Sequence, residues 1–128
     1  MSIRVVRLGT ARQPGEGLRV GTVRRPPRGV PKAQYASRDF YDVWLPELAP
    51  SEALVKEAQS APDERAWRTF VRRYRAEMKR PEATRLLALL AALSGQTNLS
   101  VGCYCEDEGH CHRSVLKALL REHGATVE

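Results

Sequence analysis

No stretch of this 128-residue chain approaches the roughly 18 consecutive apolar residues that cross a membrane, so no membrane partner is expected. The opening Met1-Ser2-Ile3-Arg4-Val5 lacks the charged, apolar and small-residue regions of a secretory signal, and the expected compartment is the cytoplasm. Cysteine is scarce: three residues, an odd number, confined to nine positions. That excludes a disulfide framework and points to a local site or redox cluster in a reducing compartment. Acidic residues are nearly missing from the first third. Nine Lys or Arg between Met1 and Arg38 face one acid, Glu16, leaving +8 there out of +6 for the whole chain. Such asymmetry suits an anionic partner, a phosphate-bearing molecule or a nucleic acid, and equally a solvated basic face. The apolar share of 42% and charged share of 28% are those of a folded protein, and the length suits one domain over 1–128.

Ile3 to Leu8 is rich in β-branched residues and ends at Gly9, which predicts a first strand. Leu18 to Val23 predicts a second, irregular one. Arg24 to Pro31 holds three prolines and a glycine and reads as a functional loop. Tyr41 to Leu45 predicts a short strand before Pro46. Ser51 caps an expected helix from Glu52 to about Gln59, and Asp63 a longer one to Arg80. There Trp67, Phe70, Val71, Tyr74 and Met78 recur at helical spacing, a stripe read as core. Trp44 is read as core too, so neither tryptophan counts as evidence for base stacking. Pro81 restarts the chain into a helix carrying Leu86, Leu87, Leu89, Leu90 and Leu93, stopped by Gly95. Leu99 to Tyr104 predicts a buried strand, Ser114 to His123 an amphipathic helix, and Ala125-Thr126-Val127 an edge strand. The order implies a small α/β domain in two or three layers, a parallel or mixed sheet covered by helices. Ligands of such sheets gather beyond the carboxyl ends of the strands.

That edge carries the sequence's most chemical segment, Cys103-Tyr104-Cys105-Glu106-Asp107-Glu108-Gly109-His110-Cys111-His112-Arg113. Three readings compete. In the first, Cys111 at a helix start is a nucleophile or redox thiol with a depressed pKa, His112 or His110 is its acid–base partner, and Arg113 clamps an anion. A tyrosine-phosphatase loop is disfavoured, because six positions after Cys111 stands Lys117 and six after Cys103 stands Gly109. In the second, Cys103, Cys105 and Cys111 with His110 or His112 bind zinc, though the paired knuckles of common zinc modules are missing. In the third, Cys103 is a buried small hydrophobe and the histidines only order the loop. Nothing in the sequence identifies a cofactor.

Arg28-Gly29-Val30 with Lys32, the run Asp42 to Ser51, and Trp67, Phe70, Arg73-Tyr74 and Glu77 resemble the YeaO-like branch of domain-of-unknown-function family 488. The segment Cys103 to Arg113 resembles the other main branch of that family, with its strand, cysteine, acidic loop and His-Cys-His-Arg. The resemblance implies a compact α/β fold and a shared site at Cys103, His110, Cys111, His112 and Arg113, with no known reaction; where this chain has Cys105 the family commonly carries an acid. The leading expectation is an enzyme or ligand-binding domain for a phosphate-bearing small molecule or nucleic acid. Cys111, His112, His110 and Cys103 carry its chemistry, and Arg113, Arg25, Arg28 and Lys32 hold the anion. The alternatives are a non-catalytic nucleic-acid-binding accessory protein and a structural metal module. Asp42 and Glu47 are expected to pair with the arginines of the proline-rich loop, and the modest core is compatible with a homodimer.

Overall fold

The computed structural model describes residues 1–60, 63–105 and 111–128. Strands β1 (Ile3–Arg7), β2 (Leu18–Gly21), β3 (Val43–Trp44) and β4 (Leu99–Cys103) form one sheet in the order β1-β4-β2-β3, with every pairing parallel. The last strand in sequence is therefore central, flanked by Ile3 on one side and Leu18 on the other at Leu99. Being paired on both edges and covered on both faces, all five of its residues are buried. Val127 bridges to Ile3 beyond β1, so the expected final strand shrinks to a single parallel contact.

Helices α1 (Glu52–Ser60), α2 (Glu64–Glu77), α3 (Pro81–Leu93) and α4 (His112–Glu122) lie where patterning predicts them, with α4 beginning two residues early. Asp63 accepts the Ala66 N–H at 2.7 Å and caps α2, a contact worth about 1 kcal/mol. All four helices feed one apolar cluster with Val20, Leu99 and Val101, so they cover a single face of the sheet. Phe70, Tyr74, Leu87, Leu116 and Leu120 form its body. Leu89 departs from the predicted stripe and is exposed, as is Trp44, which is 41% accessible and anchored by its indole N–H on the Val23 carbonyl at 2.7 Å. Trp44 belongs to a two-residue edge strand with only one neighbour, so alternation leaves it nothing to pack on.

Alternation turns Arg19, Gly21, Ser100 and Gly102 to the opposite face, and no helix covers them. Parallel strands β1 and β2 are joined by ten residues, Leu8 to Gly17, too few for a helical crossover. The connection therefore runs as coil across that face, as does the longer return from β2 to β3. A Cβ on Gly21 would overlap the Tyr41 ring, and one on Gly102 would lie 2.8 Å from Leu8 Cδ2, so both glycines let coil lie directly on the strands.

A buried ion pair holds this coil layer. Arg19, fully buried, donates from Nε and Nη2 to the two carboxylate oxygens of Glu16, each at 2.9 Å. Its Nη1 donates to the carbonyls of Thr10 (2.8 Å) and Asp39 (2.7 Å), and the Ser100 hydroxyl donates to Glu16 at 3.0 Å. One guanidinium thus ties together the β1–β2 connection, the 39–42 turn and, through Glu16, the central strand. Much of the basic excess of the first third is also spent internally: Arg4 pairs with Glu128, Arg12 with Asp39 and Asp42, and Arg25 with Glu52. Asp42 hence meets Arg12, not the proline-rich loop.

Glu16→Gln removes the charge while keeping the shape and leaves Arg19 a buried, uncompensated cation. Breaking such a pair costs about 3–5 kcal/mol, so urea unfolding of the variant is expected to show a loss of that size; a loss under about 1 kcal/mol would remove the network from its structural role. Burial pushes the Glu16 carboxyl up, but the hydrogen bonds from Arg19 and Ser100 outweigh it and its pKa is lowered from 4.5. The stabilisation is therefore complete above that value and falls away as the pH drops through it, a decline the variant should lack.

Candidate functional site

The carboxyl end of β4 and the first turn of α4 meet beside the end of β2, the edge where open parallel sheets gather ligands. Cys103 is the last residue of β4, and Cys111 is the N-cap of α4, which no side chain caps. Both are buried, and their Sγ atoms stand 2.7 Å apart. Cys105 lies two residues beyond the strand, exposed, within hydrogen-bonding contact of both other thiols. Three sulfurs so close cannot all ionise, because each added charge is repelled by the others. Donation from Cys103 and Cys111, aided by the nearby Arg113 charge, holds the Cys105 thiol far below its usual range against the effect of its own partial burial. Cys103 is pushed well up by donating to Cys105, by its contact with Cys111 and by burial. Accepting from Cys103 pulls Cys111 down, but donation to Cys105 and burial prevail and carry it up to about 11. Of the three thiols, Cys105 is the one whose ionised form its neighbours favour.

His112 is buried and held by its Nε2–H, which donates to the Thr22 carbonyl at 2.7 Å. That fixes the tautomer, leaving Nδ1 as an acceptor facing Cys111 Sγ at 3.7 Å. Tyr74 packs edge-on against the ring, 5.6 Å between centroids, and itself donates to the Leu48 carbonyl at 2.6 Å. Burial lowers the imidazole pKa below 6.5, more than the Thr22 contact raises it, so His112 is neutral near pH 7. With Nε2 committed to Thr22, the face of the ring that remains is the Nδ1 side, turned to Cys111.

Arg113 is buried beside them. Its Nη2 donates to the Cys105 carbonyl at 2.7 Å, while its Nε, fully shielded, has no hydrogen-bond partner among the described residues. The Tyr41 hydroxyl is a second buried group without a partner among the described residues, and Tyr41 shares a cluster with Cys103, Cys111, Leu8 and Val23. Half-buried Tyr35, Phe40 and Tyr104 pack against that cluster, Tyr35 edge-on to Tyr41 (5.3 Å) and Phe40 edge-on to Tyr104 (6.4 Å). This aromatic wall went unseen in the sequence, because the 35–41 segment is coil with no periodicity to reveal a shared face.

The structure thus brings Cys103, Cys111, His112 and Arg113 together. His110 lies outside the described residues. The proline-rich loop reaches the cluster through its backbone: the Tyr104 hydroxyl donates to the Arg25 carbonyl at 2.9 Å. The Arg25 side chain turns to Glu52, and Arg28 and Lys32 are exposed. A metal fits less well. Donor atoms of Cys103, Cys111 and His112 lie within 4.8 Å of one another. Two thiolates on tetrahedral zinc, however, stand roughly 3.8 Å apart for Zn–S bonds of about 2.3 Å. At 2.7 Å the sulfurs would have to separate before sharing an ion.

A protein-family model described as the Active DUF488-N3 subclade matches residues 3–124. No curated protein matches. No solved structure matches either.

His112→Gln keeps a neutral donor on α4 but cannot be protonated. The buried imidazole contributes stability that is full above pH 6.5 and declines as the pH falls below it, because the unfolded chain takes the proton more readily. Urea unfolding at pH 7 and 5.5 is expected to show that decline in the parent and a flatter response in the variant. An unchanged pH response would place the imidazole in contact with water. His112→Ala, which orphans the Thr22 carbonyl and leaves a cavity by Tyr74, is expected to cost about 2–4 kcal/mol.

Proposed function

The chain belongs to domain-of-unknown-function family 488, and from that premise and the geometry of the cluster we propose that it binds a phosphate-bearing ligand with a planar base, a nucleotide or nucleotide-like compound, beside a reactive thiol. The observation that carries this reading is the buried Arg113 Nε, which has no partner among the described residues. A desolvated guanidinium donor left unpaired costs about 1–3 kcal/mol or more, and an anion arriving at the start of α4 satisfies it. The helix dipole adds to the attraction there, since the first turn presents positive partial charge. The aromatic wall of Tyr35, Phe40 and Tyr104 supplies flat apolar surface beside the anion position, which suits a base.

Within this reading Cys105 is the nucleophile. It is the exposed thiol, its negative charge is stabilised by two neighbouring S–H donors and Arg113, and it stands next to the anion position. Cys103 and Cys111 supply those donors, and His112 fixes Cys111 against the end of β2. Arg113 holds the phosphate, with Arg28 and Lys32 as exposed cations on the adjoining loop. In the first third, the internal pairing of Arg4, Arg12, Arg19 and Arg25 takes four of nine cations out of any continuous phosphate track, which favours a small ligand there.

Titration calorimetry with inorganic phosphate and with a nucleoside 5′-monophosphate tests the reading. Both are expected to bind, the nucleotide more tightly. Arg113→Lys, which keeps the charge but loses the planar fork, should weaken both by roughly tenfold or more. Binding of neither probe, or equal binding by the variant, would sink the proposal. Tight binding of duplex DNA that weakens steeply with salt and survives Arg113→Lys would favour the accessory nucleic-acid protein instead.

A further inference from the structure

We propose that the three thiols form a peroxide-responsive relay, in which Cys105 is oxidised first and the oxidation ends as a disulfide between Cys103 and Cys111. The arrangement separates entry from storage. Cys105 is exposed to solvent, so a hydroperoxide meets it before the other two. Cys103 and Cys111 are buried, and their sulfurs already stand in contact at 2.7 Å across the junction of β4 and α4. Both hydrogen-bond to Cys105, so a modified Cys105 sulfur has two potential resolving thiols beside it.

The chemistry balances with a hydroperoxide as oxidant. The Cys105 thiolate attacks the distal oxygen and the O–O bond breaks. The leaving alkoxide or hydroxide takes a proton from water, leaving a sulfenic acid on Cys105. Cys111 sulfur then attacks the Cys105 sulfur; an S–S bond forms, the S–O bond breaks, and the hydroxide leaves as water with the Cys111 proton. Cys103 attacks Cys111 in turn, the Cys103–Cys111 bond forms, Cys105 departs as thiolate, and the Cys103 proton passes to solvent. In sum, one hydroperoxide and two thiols give one disulfide, one alcohol or water, and one water. The last exchange runs in this direction because the most acidic thiol of the three is the best leaving group. An external dithiol restores the reduced state.

The relay shares Cys105 with the phosphate reading, but the two fail distinguishably: the relay through the mapped oxidation products, ligand binding through Arg113→Lys. The test treats the full chain with a slight excess of hydrogen peroxide, quenches with acid and maps peptides by mass spectrometry. The expected product has lost two hydrogens, keeps one free thiol at Cys105, and links Cys103 to Cys111 within one chain. Cys105→Ser should slow its formation by about tenfold or more. Cys111→Ser should instead end in a Cys103–Cys105 disulfide or a sulfenic acid at Cys105 captured by dimedone. If Cys105→Ser alters the fold, a time course on the parent chain decides, with Cys105 expected to lose its reactivity to alkylation first and regain it. Equal rates in folded Cys105→Ser, oxidation that begins at Cys103 or Cys111, disulfides only between chains, or three thiols surviving peroxide would each overturn the relay.

Discussion

His112 donates to the Thr22 carbonyl at 2.7 Å, and this bond joins the end of β2 to the first turn of α4 across the end of the central strand. Thr22 in turn donates its hydroxyl to the Gly102 carbonyl at 3.0 Å, one residue before Cys103. Three segments far apart in the chain are thereby fixed where their chemistry-bearing atoms meet. A central parallel strand that ends in Cys103 sets the position; the buried imidazole sets the direction from which Cys111 and Arg113 approach it. Loss of that bond would free the start of α4 and with it the contact between the two buried sulfurs.

The opposite face of the sheet follows a different logic. With no helix to cover it, apolar packing is replaced by a single saturated ion pair, Arg19 with Glu16, and by Tyr41 lying on Gly21. A buried pair of this kind is weak evidence for net stability but strong evidence for a defined arrangement, because neither partner tolerates loss of the other. Here it defines the path of two coil connections, and one of them delivers Phe40 and Tyr41 to the thiol cluster. The basic charge of the first third therefore has an internal use, as scaffold, before any use toward a ligand.

How much of this was legible in the sequence depended on periodicity. The β-branched run at Ile3, the stripe of Phe70, Tyr74 and Met78, and the leucines of α3 and α4 repeat at strand or helix spacing, and their elements were read nearly to the residue. The Cys/His/Arg cluster stood out by composition alone. Cys105 reads from the sequence only as a third zinc ligand; its contact with both other thiols is a matter of the fold, which spacing along the chain does not reveal. Arg19 and Glu16 looked like surface charges, since an i,i+3 pair at the start of a short strand reads the same buried or exposed. Trp44 reads as core from its apolar strand pattern, but it lies in a two-residue edge strand paired on one side alone, which leaves it partly exposed.

Charge sharing among the thiols is the claim on which the rest of the site turns: one negative charge, carried by Cys105, with Cys103 and Cys111 protonated and no metal between them. The direct measurement is the pH dependence of iodoacetamide alkylation, resolved to each cysteine by peptide mapping, with metal content determined on the same preparation. Cys105 is expected to react alone and at a nearly constant rate from pH 5 to 8, while Cys103 and Cys111 stay inert until the protein unfolds, in protein free of bound zinc. Rates for Cys105 that climb with pH as an ordinary thiol's do, or one zinc per chain protecting all three sulfurs, would contradict it.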